Sequence, residues 1–172
     1  MVIGSGGAGK SVLSRQLGEV LGLPVIHLDA EHWRPGWELP PKEEWRRKVA
    51  ELASRGRWIM DGNYSADLSI RLAAADTVVF LDYPRCVCLW RVLVRVCRHH
   101  GETRPDMAPG CPEHLDLSFL RWVYDFPRHS RSKIVEALGQ RPETTRVIIH
   151  RSPRETRAFL AELSGGQGDL PA

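Results

Sequence analysis

The chain has 172 residues and a mass of 19.4 kDa, with 42% apolar and 26% charged residues, the profile of one ordinary soluble domain. It contains no apolar run long enough to span a bilayer and no charged segment leading into an apolar one at its start, so neither a membrane helix nor a signal peptide is expected and the default location is cytoplasmic. The net charge of +3 is local: 20 of the 24 basic residues are arginine, and residues 83–131 hold eight arginines against five acidic residues, the whole surplus of the chain. Such a concentration suits an anionic partner with planar contacts, phosphate above all. GC-rich codon usage and a solvated face would give the same composition.

Residues 1–3 read as a strand, and a helix follows over 11–21. Between them Gly4-Ser5-Gly6-Gly7-Ala8-Gly9-Lys10-Ser11 fits G-x-x-x-x-G-K-[ST], in the strand-to-helix context that the phosphate-binding loop requires. Glycines let successive N–H groups turn inward around a phosphate, and the helix start adds unpaired donors and a favourable dipole. Gly4, Gly6, Gly7, Ala8, Gly9, Lys10, Ser11 and Val12 are the expected nucleotide contacts. Lys10 would reach the β- and γ-phosphates, and the Ser11 hydroxyl would hold Mg²⁺. Three residues is short for the strand before such a loop. Either the strand begins upstream or the sheet tolerates a short central strand.

Residues 24–28 (PVIHL) form the second expected strand and 42–55 a helix. Residues 57–60 (RWIM) form the third strand, followed by a short helix over Leu68–Ala74 and a fourth strand over Thr77–Leu81. Asp29, Asp61 and Asp82 each follow a strand, where ligands bind in an open α/β sheet. Asp29 is placed to take a proton from an attacking hydroxyl, and Asp61 to support Mg²⁺ directly or through water. A helix N-cap or an Asx turn is the competing explanation for each, and it is preferred for Asp82. Trp33, Trp37 and Tyr64 flank these carboxylates in loops suited to stacking on a flat ring, Trp33 being preferred to Trp37. Trp45, Trp58, Trp90 and Trp122 fall inside elements and are expected in the core.

Arg85–His99 and 117–138 read as helical around a Gly- and Pro-rich loop at 101–112. Arg91, Arg95 and Arg98 lie at i, i+4 and i+7, on one helix face; Arg104, Arg121, Arg128 and Arg131 follow. Segment 91–131 is expected to be a helical lid whose arginines, Arg95, Arg98 and Arg104 foremost, neutralise a transferring phosphoryl group. Surface pairing with acidic neighbours is the alternative for Arg91 and Arg95. Cys97-x-x-His100 and Cys111-x-x-His114 could in principle supply Cys₂His₂ ligands. Neither pair lies in a Gly-bearing knuckle, so no structural zinc is expected, and Cys86, Cys88, Cys97 and Cys111 are read as free thiols. Arg146–His150 is the fifth strand and 154–163 the last helix, leaving 164–172 as an expected disordered tail after a single domain over 1–163. Short strands alternating with helices imply a five-stranded parallel sheet covered on both faces, an α/β fold.

The linked motifs GSGGAGKS, LDAEHWRPGW, WIMDGNY, ADTVVFLDYPR, CLWRVLVR, TRPDMAPGCPEHLD and FLRWVYDFPRHSR resemble the adenylate-kinase-like P-loop proteins of the group labelled DNA topology modulation proteins. The resemblance spans roughly residues 1–160. It implies a P-loop kinase of nucleoside/shikimate-kinase type, ATP or GTP with Mg²⁺ as cofactors, phosphate-binding lid arginines at Arg95, Arg98 and Arg104, and a donor-base contact near Arg154. Adenylate kinases carry Phe-Pro-Arg after the Asp-Gly that matches Asp61-Gly62, whereas Asn63-Tyr64-Ser65 stands here. The arginine that grips an acceptor phosphate is missing there, which favours an acceptor hydroxyl. The expected activity is Mg²⁺-dependent transfer of a γ-phosphate to a small molecule, a nucleoside or nucleoside-like antibiotic included. Asp29, His32, Trp33, Asp61, Asn63, Tyr64 and Arg128 are the candidate acceptor contacts. Alternatives are a nucleoside-monophosphate kinase, a nucleotide-hydrolysing switch and a regulator of DNA topology. A small-molecule partner is expected rather than a membrane or nucleic acid, in a monomer or homodimer.

Overall fold

The computed structural model describes residues 1–165, ordered as β1 (Val2–Gly4), α1 (Lys10–Leu21), β2 (Val25–His27), α2 (Leu28–His32), α3 (Lys42–Ala53) and β3 (Ile59–Asp61). There follow a 3₁₀ turn (Ser65–Asp67), α4 (Leu68–Ala74), β4 (Thr77–Leu81), α5 (Arg85–His99), α6 (Leu117–His129), α7 (Arg131–Gly139), β5 (Arg146–His150) and α8 (Pro153–Gly165). The strands form one parallel sheet in the order β2-β3-β1-β4-β5. The expected α/β class and five-stranded parallel sheet are therefore what the chain adopts. β1 is central and spans three residues of the chain.

Alternation along β1 and β4 divides the core between two faces. Val2, Val79 and Leu81 pack with Leu13 and Leu17 of α1 and with Phe159, Leu160 and Leu163 of α8. Ile3, Val78 and Phe80 pack oppositely, with Leu68 and Leu72 of α4 and Ile134 and Leu138 of α7. Ile26 and Met60 meet Trp45, Val49 and Leu52 of α3. The register sets Gly4 beside Leu81, His27 beside Asp61 and Leu81 beside His150. The strand ends thus face one crevice.

Several boundaries differ from expectation: β3 begins at Ile59 and takes in Asp61, and α3 ends at Ala53. β2 stops at His27, and Leu28 begins a helical turn that carries Asp29. The single helical region expected over 117–138 divides at Ser130 into α6 and α7, and α6 continues through Pro127. Helix α8 runs two residues past the expected domain edge, to Gly165, while 166–172, most of the expected tail, lie outside the described residues. Trp90 and Trp122 are 68% and 40% exposed, not core, whereas Trp45 is buried as expected.

The loop after β3 is held from below by Arg71 of α4, a fully buried arginine. Its guanidinium donates to the carbonyls of Gly62, at 2.8 Å, Asn63 and Tyr64, at 3.2 Å. A guanidinium spreads five donors over a rigid planar fork, whereas an ammonium has three on one atom. Arg71→Leu is expected to lower stability by about 3 kcal/mol in urea unfolding, because it strands buried carbonyls, with Arg71→Lys recovering less than half. A loss below about 1 kcal/mol would show that the loop holds itself.

Candidate functional site

The glycine loop wraps the amino end of α1. Gly7 and Gly9 have φ of +76° and +96°, conformations that side chains rarely adopt. A Cβ at Gly7 would lie 2.3 Å from the Cys88 carbonyl oxygen of α5, so α5 can seat on the loop only because position 7 is bare. Gly4 N–H donates to Asn63 Oδ1 at 2.9 Å, and Arg91 donates to the Ala8 carbonyl at 3.1 Å. Lys10 Nζ turns back across the loop to the Ser5 carbonyl at 3.1 Å. Burial lowers the pKa of this ammonium; Asp29 and Asp61 oppose that shift, and Arg95 adds to it.

The strand-end carboxylates take different roles. Asp29 accepts a 2.7 Å hydrogen bond from the Tyr64 hydroxyl, whose pKa is driven upward by burial and by that carboxylate. Asp61 is 1% exposed and lies 2.6 Å from His27 Nδ1. Asp82 binds Arg131 through both oxygens, at 2.8 and 3.0 Å, and so pins the start of α7; this is an ion pair and not the helix cap or turn preferred for it.

The segment between α5 and α6 folds down on the loop. Glu113, 5% exposed, accepts a 2.8 Å hydrogen bond from Arg95 on one oxygen and another from Arg104 on the other. Arg104 also reaches Asp106 at 2.8 Å. Burial pushes the Asp106 carboxyl up, but Arg104 and a hydrogen bond with Ser11 outweigh it and hold it below the usual carboxylate range. The segment is stitched to residues 33–38: Gly36 N–H donates to the Gly110 carbonyl at 2.9 Å, Trp37 Nε1 to Pro112 at 3.2 Å, and Cys111 Sγ to Arg34 at 3.2 Å.

Two clefts result. One, of about 440 Å³, runs from Gly7–Leu13 to Pro153, Thr156 and Arg157 at the start of α8. The other, of about 790 Å³, is walled by Trp33, Trp37, Tyr64, Phe119 and Trp122. Lys10, Asp29, Arg95 and Arg104 line both, so the clefts meet at these four side chains. A third cavity, of about 390 Å³, opens beside Met1, Trp58 and Asp76 and touches none of them.

The structure thus brings together Gly7, Ala8, Gly9, Lys10, Ser11, Val12, Asp29, Arg95 and Arg104, with Trp33, Asn63 and Tyr64 across the second cleft. It does not bring in several others. Gly4 and Gly6 line neither cleft; a Cβ on them would strike Leu81 O at 2.7 Å and Phe119 at 2.6 Å, so packing needs them small. Arg98, Arg128 and Arg154 are exposed and line neither cleft; Arg157, one helical turn from Arg154, lines the first. His32 is edge-on to Trp33 and Trp45, part of an aromatic stack and not a cleft wall. Asp61 is covered by His27 and reaches the loop only through its field on Lys10. Trp37 lines the second cleft as fully as Trp33. Cys111 and His114 bond to Arg34 and Pro112 carbonyls, and the described residues contain no group of three or more His, Cys, Asp or Glu that could hold a metal ion. No described helix is long and apolar enough to cross a membrane. Sequence reasoning missed Asp106, Glu113, Phe119 and Trp122, and only the placing of two acids among arginines hinted at the first pair.

No protein-family model and no curated protein matches the chain. Among solved structures it is similar to a candidate kinase from Chloroflexus aurantiacus, with 16% identity and a TM-score of 0.48 over 99% of this chain and 97% of that one. It is also similar to a gluconokinase from Sinorhizobium meliloti, with 23% identity and a TM-score of 0.49 over 97% of this chain and 93% of that one. Neither likeness identifies an activity for this chain.

The pairing with Asp61, chiefly through its hydrogen bond, raises the His27 pKa above its ordinary 6.5 despite opposing burial. A raised folded pKa adds stability that is full below 6.5 and lost as pH climbs through the folded value. His27→Gln should therefore cost about 1–2 kcal/mol at pH 5 to 6 and progressively less above 6.5, read from urea midpoints across pH. A cost that grows with pH would contradict the ion pair.

Proposed function

We propose that this chain is a Mg²⁺-dependent phosphotransferase that moves the γ-phosphate of ATP or GTP to a hydroxyl of a small molecule, nucleoside-like compounds among them. The observation that carries the reading is the meeting of two clefts at Lys10, Asp29, Arg95 and Arg104. One cleft has the phosphate loop as its floor, and the other has the size and aromatic walls of an acceptor site.

The residues present suit the nucleotide and its metal. The cradle at Gly7 and Gly9 has the positive φ values that turn N–H groups inward on a phosphate. The Ser11 hydroxyl and the Asp106 carboxylate, hydrogen-bonded to one another, give the oxygen donors that a hard cation takes. Mg²⁺, bound there, would draw charge from the β- and γ-phosphates.

Lys10, already desolvated and held by a single carbonyl, exchanges that carbonyl for phosphate oxygens. Asp29 has one oxygen engaged by Tyr64, which fixes the carboxylate and leaves its other oxygen for the acceptor. In the transfer, the bond from the γ-phosphorus to the β,γ-bridging oxygen breaks and a bond to the acceptor oxygen forms. The proton of the acceptor hydroxyl passes to Asp29, and the electron pair of the broken bond stays on the departing diphosphate. Arg95 and Arg104 stabilise the charge on the group in flight, and the segment that carries them keeps water out.

Lys10→Ala should lower turnover by about 10³-fold or more. Asp29→Asn should lower kcat by about 10²- to 10⁴-fold while donor affinity stays within about two-fold. Both follow from acceptor-dependent phosphate transfer measured alongside nucleotide binding. An Asp29→Asn enzyme with its kcat intact would remove Asp29 as the base.

A further inference from the structure

We infer that the acceptor is a neutral or cationic alcohol built on a flat ring, and that this site rejects anionic acceptors such as nucleoside monophosphates and sugar acids. The inference rests on the phosphotransfer reading and adds the charge and shape of the second substrate.

The observation is the distribution of charge between the clefts. The acceptor cleft touches Lys10, Arg95 and Arg104, but each of them also lines the donor cleft. Its remaining charged walls, among the described residues, are Glu113 and Asp116, both acidic. Arg95 gives one nitrogen to Glu113 and keeps its Nε without a partner, and Arg104 is shared between Glu113 and Asp106; both meet an anion only where the clefts join, at the transfer point that the donor's phosphates fill. Arg71, behind the wall residues Asn63 and Tyr64, is fully buried with its guanidinium on three loop carbonyls, and Arg131, next to the wall residue Ser130, is paired with Asp82. Arg98 and Arg128 are exposed outside both clefts. His114, at the rim, is exposed and edge-on to Trp37.

A phosphate or carboxylate on the acceptor, away from the transfer point, would therefore be desolvated without a partner and set beside acids. The walls favour the opposite. Trp33 and Trp37 are perpendicular neighbours, with centroids 5.3 Å apart, and Phe119 stacks on Trp122 at 5.7 Å. Together they offer ring faces and edges to a flat body, and ring faces also attract a cation. Asn63, a wall residue, keeps a buried Nδ2 donor without a partner, suited to a carbonyl or hydroxyl oxygen of an uncharged ring.

The test uses the full chain and matched probes: adenosine against its monophosphate, and tyrosol and tyramine against the corresponding hydroxyphenylacetate, with gluconate and shikimate as non-aromatic acids. Quenching of tryptophan fluorescence reads binding, and transfer of labelled γ-phosphate from ATP and GTP reads turnover. The neutral and cationic ring alcohols should bind at least about ten-fold more tightly than their anionic counterparts, and Trp122→Arg should narrow that gap. An anion that binds as well as its uncharged counterpart overturns the inference. So does the absence of quenching by every neutral and cationic ring probe. Failure of the phosphotransfer reading would show separately, as nucleotide binding that is absent or indifferent to Lys10→Ala, and the charge preference in the quenching series is decided without it.

Discussion

Three cations of one small region, Lys10, Arg95 and Arg104, are brought together against Coulomb repulsion: Asp29 and Asp61 favour the charge on Lys10, and Glu113 joins the two arginines. Its buried carboxylate takes a 2.8 Å hydrogen bond on each oxygen, from Arg95 and from Arg104. Burial and Arg104 both act to discharge Arg95, while Glu113 acts to keep it charged. A buried charge left without its partner costs several kcal/mol, about 3–5 when one member of a buried pair is removed. The segment carrying Arg104, Asp106 and Glu113 is thereby held on the phosphate loop. The meeting of the two clefts follows from that contact.

The rest of the fold supplies a rigid floor for this cluster. Parallel strands end together at one crevice, with the short central β1 leading directly into the loop. Seating α5 on Gly7 delivers Arg91 to the Ala8 carbonyl and Arg95 to the cleft. On the other side Arg71 fixes the backbone after β3, which sets Asn63 on Gly4 and Tyr64 on Asp29. The same loop therefore shapes the acceptor wall and orients the carboxylate proposed as base. Trp33 and Trp37, packed against Met107, Ala108 and Cys111, close the far side.

What was legible in the sequence was local. The strands at Thr77–Leu81 and Arg146–His150 and the helix at Leu68–Ala74 have the expected ends, because apolar runs, turn residues and helical spacing decide them within a few positions. The glycine loop was legible for the same reason. The arginine stripe was legible only in part: Arg98 shares a helix face with Arg91 and Arg95, but it lies nearly a turn beyond Arg95 and projects past the loop into solvent. Glu113 and Arg71 gave no local signal, since each gains its partners from chain segments whose approach only the tertiary fold determines. Asp61 showed the converse failure. Its position at a strand end is correct, but the neighbouring strand presents His27 at the same register and covers it.

The central claim is that phosphate donor and acceptor meet at the four side chains shared by the two clefts. A crystal structure of the chain with Mg²⁺ and a non-hydrolysable ATP or GTP analogue tests it most directly. The terminal phosphate is expected to rest against Lys10 Nζ, with Arg95 and Arg104 beside it and the Asp29 carboxylate facing it from the aromatic cleft. A terminal phosphate directed away from Asp29, or a nucleotide bound away from the Gly7–Ser11 loop, would contradict it.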